Sequence, residues 1–486
     1  MLCGLAIITL LTGLWVHEMA GDTLPLPWDD EVSFFWPAVH WAQDNSLLAP
    51  ELNPDREVMW MPPGMMVALG TLFKVLPVRL GVARYASWSM LTLGYLCCMC
   101  WAVCLKRGLA CAVLLSAFLL NGTFTAAGNV VRMDAWVWGM GAMGFMLLQS
   151  GRMGRWHRLG WTVLWLAPLV HPNGLYFLMA AAMAVVGCKI AAKWGKSDGA
   201  VDSSNGNWGK VIPWALLVAM AWAAYGVYAV RHEADWLTDM AFQFARKGGR
   251  APWEGLCAWP TWGCLVLYAA FGLHALFRYP RNLWLVGWGG ANLMVYVIGG
   301  EMWYEIFWET GWLWLVWLGF QMDIPLRGRW GQCATTMAMI VLFAWAGQYF
   351  LKHCFIEGPK GYVRELQWGW GMRLETEGPY ISDEDRACLK VRLGEAVQQA
   401  GHPLRVEFMP AGDQLLCLDC FPESVHPFRP HFSERRADCM VIHASRYRPS
   451  WLRGEVEAAI PDEEVPFWEH DGTEQWYFVD KRETSE

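Results

Sequence analysis

An α-helical polytopic membrane protein with a small extracytoplasmic α/β domain at its carboxyl end is the fold class this sequence predicts. Three observations predict it. Of 486 residues, 55% are hydrophobic and only 17% charged, far more apolar than a water-soluble chain of this length. Apolar stretches long enough for a hydrocarbon core of roughly 30 Å recur from the first residue to about residue 351. Beyond that the composition breaks: about 40 of the 83 Asp, Glu, Lys and Arg residues fall in the last 134 positions.

The first segment, residues 2–16, lacks a basic start and a small-residue cleavage site, so it reads as an anchor and not a signal peptide. Later spans are predicted near 80–105, 109–128, 135–151, 158–171, 174–190, 211–230, 256–277, 282–300, 306–322 and 331–351, about eleven in all. Lys106 and Arg107, Arg152 with Arg155 and Arg158, Lys193 to Lys210, Arg278 with Arg281, and Arg327 with Arg329 fall on alternate turns. The positive-inside bias makes that side cytoplasmic. This solution needs the apolar run Pro62 to Pro77 to be a helix lying on the outer surface, because a span there would invert every later loop. At 1.5 Å per residue it is about 24 Å long, marginal for crossing. The amino end is then inside and the carboxyl end outside, which divides the chain into a membrane part, 1–352, and an extracytoplasmic part, 353–486.

Within the tail, Asp383 to Gln399 has helical spacing, and His402 to Met409, Asp438 to Ser445 and Gln475 to Asp480 read as strands. Ten of the 15 cysteines lie in or near apolar runs, where a thiol is a packing residue. Cys417-x-x-Cys420 has no second pair at zinc spacing, so a disulfide or free thiols fit it better than a metal site. The net charge of −7 is spread without a basic block, which excludes a nucleic-acid partner.

The residues able to do chemistry lie in the outer loops. The first, 17–61, carries Asp29, Asp30 and Glu31 directly before an apolar aromatic run. Acids at a helix start cap it and complement its dipole; a carboxylate shielded from bulk water can also take the proton from an attacking hydroxyl or amine. Asp134, after Arg132, opens a later span on the same side, as a cap paired with Arg132 or as a functional group. Arg246, Lys247 and Arg250 form the strongest outer basic cluster, against the positive-inside bias, and suit a lipid phosphate or phospholipid headgroups. Glu301 to Glu305, with Tyr304, fits an interfacial belt, and His171 fits a tight turn.

This pattern resembles the polytopic GT-C glycosyltransferases that use lipid-phosphate sugars, of the protein O-mannosyltransferase and aminoarabinose-transferase type. The resemblance rests on Asp30-Glu31-Val32-Ser33-Phe34, Met61-Pro62-Pro63-Gly64 and Arg132-Met133-Asp134, and it covers about residues 1–350 in organisation. It implies a multi-pass protein of the bacterial inner membrane that performs an inverting transfer from a polyprenyl-phosphate sugar to a protein, lipid or glycan acceptor. Asp30 would be the base, with Asp29 as the neighbouring alternative. Glu31 and Asp134 would orient the acceptor or hold the divalent ion that some relatives use. Arg246, Lys247 and Arg250 would receive the phosphate, and Tyr304 falls where relatives place a late-loop Tyr. The competing class, a transporter or flippase of a lipid-linked substrate, usually places its charges near the bilayer midplane, whereas here they lie in outer loops. An oligosaccharide ligase would differ in donor size but not in site topology. No Gly-rich phosphate loop suggests a soluble nucleotide donor.

Overall fold

The computed structural model describes residues 27, 29–103, 130–149, 155–194, 212–247, 259–299, 307, 310, 311, 314, 383–421, 424–429, 436–445, 450–462, 464–470 and 474–482. The spans predicted at 2–16, 109–128 and 331–351, and most of 306–322, lie outside these residues.

The other predicted spans are helices. They are α3 (Leu80–Val103), α4 (Met133–Gln149), α5 (Arg155–Val170), α6 (Gly174–Lys193), α7 (Ile212–Arg231), α9 (Trp259–Arg278) and α10 (Leu283–Gly299), with α1 (Asp29–Asp44), α2 (Gly64–Phe73) and α8 (Glu233–Lys247) between them. Two of the described helices, α6 and α7, are long and apolar enough to cross a membrane by length and composition, and α2 and parts of α9 and α10 are shorter apolar helices. The run Pro62 to Pro77 forms α2, whose Met65, Met66, Leu69 and Phe73 are buried. The segment read as the third outer loop is instead partly helical, as α8.

Small residues set how closely the helices pack. A side chain at Gly94 of α3 would lie 2.7 Å from the Cα of Gly139 in α4, and one at Gly139 would lie 2.4 Å from the Met90 carbonyl oxygen. The two backbones therefore touch, as small-residue contacts between apolar helices allow. Around them Tyr95, Trp138, Phe145, Phe177 and Trp288 form one buried cluster.

The carboxyl-terminal part holds α11 (Asp383–Ala400), β1 (Leu404–Met409), β2 (Val425–Phe428), β3 (Cys439–Ser445), α12 (Ser450–Ala459), β4 (Trp468–His470) and β5 (Glu474–Asp480). The sheet order is β2-β1-β3-β5-β4. β1 is parallel to both β2 and β3, while β5 is antiparallel to β3 and β4. The buried positions Leu404, Val406 and Phe408 alternate along β1, the period-2 pattern of a strand with one face on a core. That core is shared: Phe34 and Phe35 of α1, Met65 and Phe73 of α2, and Leu393, Val406, Phe408 and Cys439 of the carboxyl-terminal part belong to one apolar cluster. The junction is also polar, since Trp36 Nε1 donates to Gln414 Oε1 at 2.7 Å, and the Arg429 amide donates to the Glu51 carbonyl at 2.9 Å.

Candidate active site

α1 buries Glu31, Phe34, Phe35 and Ala38, each at most 2% exposed, which is the i, i+3, i+4, i+7 stripe of a helix facing a core. Its first buried position is an acid. Glu31 is fully covered and its two oxygens are occupied: Arg84 of α3 donates from Nε and Nη2 at 3.0 and 2.9 Å, and the Val131 amide donates to Oε1 at 2.7 Å. This two-pronged pairing ties α1 to α3 and to the segment that enters α4. A carboxylate so deeply buried requires such a partner.

Asp30, one residue earlier, points elsewhere because successive helical residues are about 100° apart. Arg132 Nη1 donates to Asp30 Oδ2 at 2.5 Å, and Arg132 Nε donates to Asp134 Oδ2 at 2.9 Å, so one guanidinium bridges the two aspartates. From the carboxyl-terminal part, Arg429 places Nη2 3.9 Å from Asp30 Oδ1 and donates from Nη1 to Ser33 Oγ at 2.5 Å. Three carboxylates and three arginines thus converge from α1, α3, the α4 entry and the carboxyl-terminal sheet. Their openness differs. The Asp30 side chain is 24% exposed, against 4% for Asp134 and none for Glu31. Asp134 Oδ1 is buried without a hydrogen-bond partner.

A divalent ion does not fit the candidate ligands Glu31 and Asp134. Both oxygens of Glu31 are committed to Arg84 and Val131, and a guanidinium occupies the space between Asp30 and Asp134. Among the described residues no group of three or more His, Cys, Asp or Glu gathers in a metal-binding arrangement.

The loop between α1 and α2 is pinned to α7 and α8. Arg56 makes a two-pronged pair with Asp239 of α8 at 2.7 and 3.0 Å, and the Met59 amide also donates to Asp239. Tyr228 Oη donates to Glu57, and His232 lies 3.7 Å from both Glu57 and Asp235. Phe34 stacks on Trp60 with ring centres 5.3 Å apart. The helix that ends at Lys247 is thereby docked on the loop that follows α1. The side chains of Asp29, Arg246 and Lys247, and all of Arg250 and Tyr304, lie outside the described residues. His171 is a buried turn residue whose Nδ1 accepts the Asn173 amide at 3.0 Å.

Sequence reasoning brought Asp30, Glu31, Arg132 and Asp134 to this place but missed Arg84 and Arg429. Arg84 had a signal, a lone cation in the first turns of a long apolar run. Arg429 had none, because its partner Ser33 is 396 residues away.

No family profile matches the sequence, and no curated protein matches it. Among solved structures, the chain is similar to ArnT from Cupriavidus metallidurans bound to undecaprenyl phosphate, with a TM-score of 0.51, 15% identity and 98% of each chain covered. The apo state of the same protein matches at 14% identity with a TM-score of 0.48. The chain therefore shares the fold of that protein over 98% of its length.

Proposed function

We propose that this chain is a multi-pass membrane glycosyltransferase that takes a sugar from a polyprenyl-phosphate carrier on the extracytoplasmic face, with Asp30 as the base. The observation that carries the proposal is that Asp30 is the solvent-open member of a buried carboxylate–arginine cluster at the start of the first outer helix. The fold is that of an enzyme crystallised with undecaprenyl phosphate, which supports the donor class. In this reading the acceptor O–H or N–H attacks the anomeric carbon from the face opposite the phosphate. The C–O bond to the phosphate breaks, and its electron pair leaves with the polyprenyl phosphate. The proton passes to an Asp30 oxygen, and the opposite-face attack inverts the configuration.

Arg132 holds Asp30 toward the site and keeps Asp134 beside it. Glu31 and Arg84 fix the helix that carries the base. Arg246, Lys247, Arg250 and Tyr304 are assigned to the departing phosphate, which α8 would bring near through the Arg56–Asp239 pair. About eleven spans in 1–352, a cytoplasmic amino end and an extracytoplasmic domain from 353 complete the reading. The acceptor is a protein, lipid or glycan. The test is sugar transfer from a panel of radiolabelled polyprenyl-phosphate sugars in membranes that express the wild type, Asp29→Asn or Asp30→Asn at equal levels. Loss of transfer in Asp30→Asn alone supports the assignment. Equal behaviour of all three reduces Asp30 to a helix cap and reopens the flippase reading.

A further inference from the structure

At the far end of the helices from Asp30, α5 and α7 lie side by side and enclose a groove of about 570 Å³. That is inside the range of about 300–1,000 Å³ typical of ligand pockets. α4 starts at the candidate site with Asp134 and runs away from it, so α5, which follows, begins at the opposite end with Arg155 and Arg158. The positive-inside bias makes that end cytoplasmic.

The groove is built from one face of each helix. Arg158, Trp161 and Trp165 recur along α5 at spacings of three and four, and Trp214, Val218 and Trp222 recur along α7 at spacings of four. Ala215 and Ala219 form a shallow floor between the α7 indoles. α7 buries none of its residues in the fold, so this apolar wall is open on its outer side. The indoles satisfy themselves: Trp222 Nε1 donates to the Trp165 carbonyl at 3.0 Å, which links the two helices at the inner limit of the groove, and Trp161 Nε1 donates to His157 at 3.2 Å. Arg158 is different. Its Nε is shielded from solvent and has no hydrogen-bond partner.

The structure assigns this groove to an anionic phospholipid of the cytoplasmic leaflet, with one phosphate oxygen on Arg158 and an acyl chain lying against the tryptophans. The arrangement matches the shape of such a molecule. A partly exposed cation stands at the membrane-surface end, and about 10 Å of apolar wall runs inward from it, from Arg158 to Trp165 at 1.5 Å per residue. The partly exposed Arg158 guanidinium, which lines the groove, attracts a phosphate by charge and can donate a charge-assisted hydrogen bond to it, which an acyl chain cannot accept. A zwitterionic headgroup offers the same phosphate with a compensating ammonium, so the site prefers net negative charge. The polyprenyl-phosphate donor would have its phosphate on the opposite face, which separates this site from the proposed active site.

The test is native mass spectrometry of the full-length protein, delipidated in neutral detergent and titrated with dioleoyl phosphatidylglycerol or dioleoyl phosphatidylcholine. Wild type is expected to retain one phosphatidylglycerol about five- to tenfold more tightly than phosphatidylcholine. Arg158→Gln removes that preference, and Ala215→Trp, which fills the floor, lowers retention of both lipids. Arg158 is partly exposed and makes no buried pair, so its variant isolates the charge even where Ala215→Trp lowers the yield. Equal retention of the two lipids by wild type, or an unchanged preference in Arg158→Gln, overturns the assignment. So does displacement of the bound phosphatidylglycerol by one equivalent of undecaprenyl phosphate, which would make the occupant the carrier. None of these readouts depends on sugar transfer.

Discussion

Two buried ionic clusters invite comparison, one at the start of α1 and one inside the carboxyl-terminal sheet. In the second, His443 of β3 has Asp413 Oδ2 at 2.8 Å from Nδ1 and Glu474 Oε2 at 2.5 Å from Nε2. Ser445 donates to the other Glu474 oxygen at 2.8 Å, and the His443 ring stacks on Trp476 with centres 4.1 Å apart. All four polar residues are at most 4% exposed. The constellation resembles catalytic machinery in composition, but its polar groups are sealed from solvent. The α1 cluster contains an equally sealed pair, Glu31 and Arg84, and beside it one carboxylate that reaches solvent. Burial with perturbing neighbours marks both places; access distinguishes chemistry from architecture.

Four measurements test that contrast. The largest effect belongs to Asp30→Asn, which is expected to lower transfer by about 10²- to 10⁴-fold while thermal unfolding of the purified protein stays close to wild type; a large loss of stability would move Asp30 to the architectural side. Next, Glu31→Ala leaves Arg84 buried without its counter-charge and should cost about 3–5 kcal/mol, seen as a drop in folded yield and melting temperature. The double variant with Arg84→Met should recover part of the loss.

Arg429→Ala is smaller, about 1–3 kcal/mol, since it strands Ser33 and loosens the junction. Hydrogen exchange should quicken in residues 29–53 and leave α4 and α5 unchanged. Last comes pH. Burial alone would push the His443 pKa down, but Asp413 and Glu474 push it up by more, and the net shift is upward. The charged imidazole therefore stabilises the fold fully below the unfolded value of about 6.5, and this contribution fades as pH rises through the higher folded value. Melting of the wild type should weaken across that window, and His443→Gln should flatten the dependence.

Most of the helices were legible because length and apolar content are local properties: α3, α4, α5, α6, α7, α9 and α10 begin and end within a few residues of the predicted spans. β1 was legible through its alternation, and β3 and β5 as short runs rich in β-branched, aromatic and apolar residues. β2 and β4 were not. They are the edge strands, four and three residues long, and β2 contains Pro427, which an edge tolerates and a sequence pattern penalises. α8 escaped because it is amphipathic and polar on average, so a search for bilayer-length apolar runs passes over it. Asp30, Glu31 and Asp134 stood out as acids against apolar helix starts. Which of the three is open could not be read, since Arg84 covers Glu31 across 53 positions and Arg429 approaches from the far end of the chain. Cys417 and Cys420 are both buried free thiols, and a hydrogen bond between them together with burial holds Cys417 well above its ordinary pKa.

The contact between Ser33 and Arg429 also has a consequence in time. The 396 positions that separate them take roughly 20–80 s to synthesise at about 5–20 residues per second. Throughout that interval α1 and the loop after it have left the ribosome without the domain that covers them, and Asp30 lacks Arg429. The cluster is finished by the last part of the chain to be made, so a premature stop between α10 and α11 leaves α1 to α10 synthesised and Asp30 and Ser33 without Arg429.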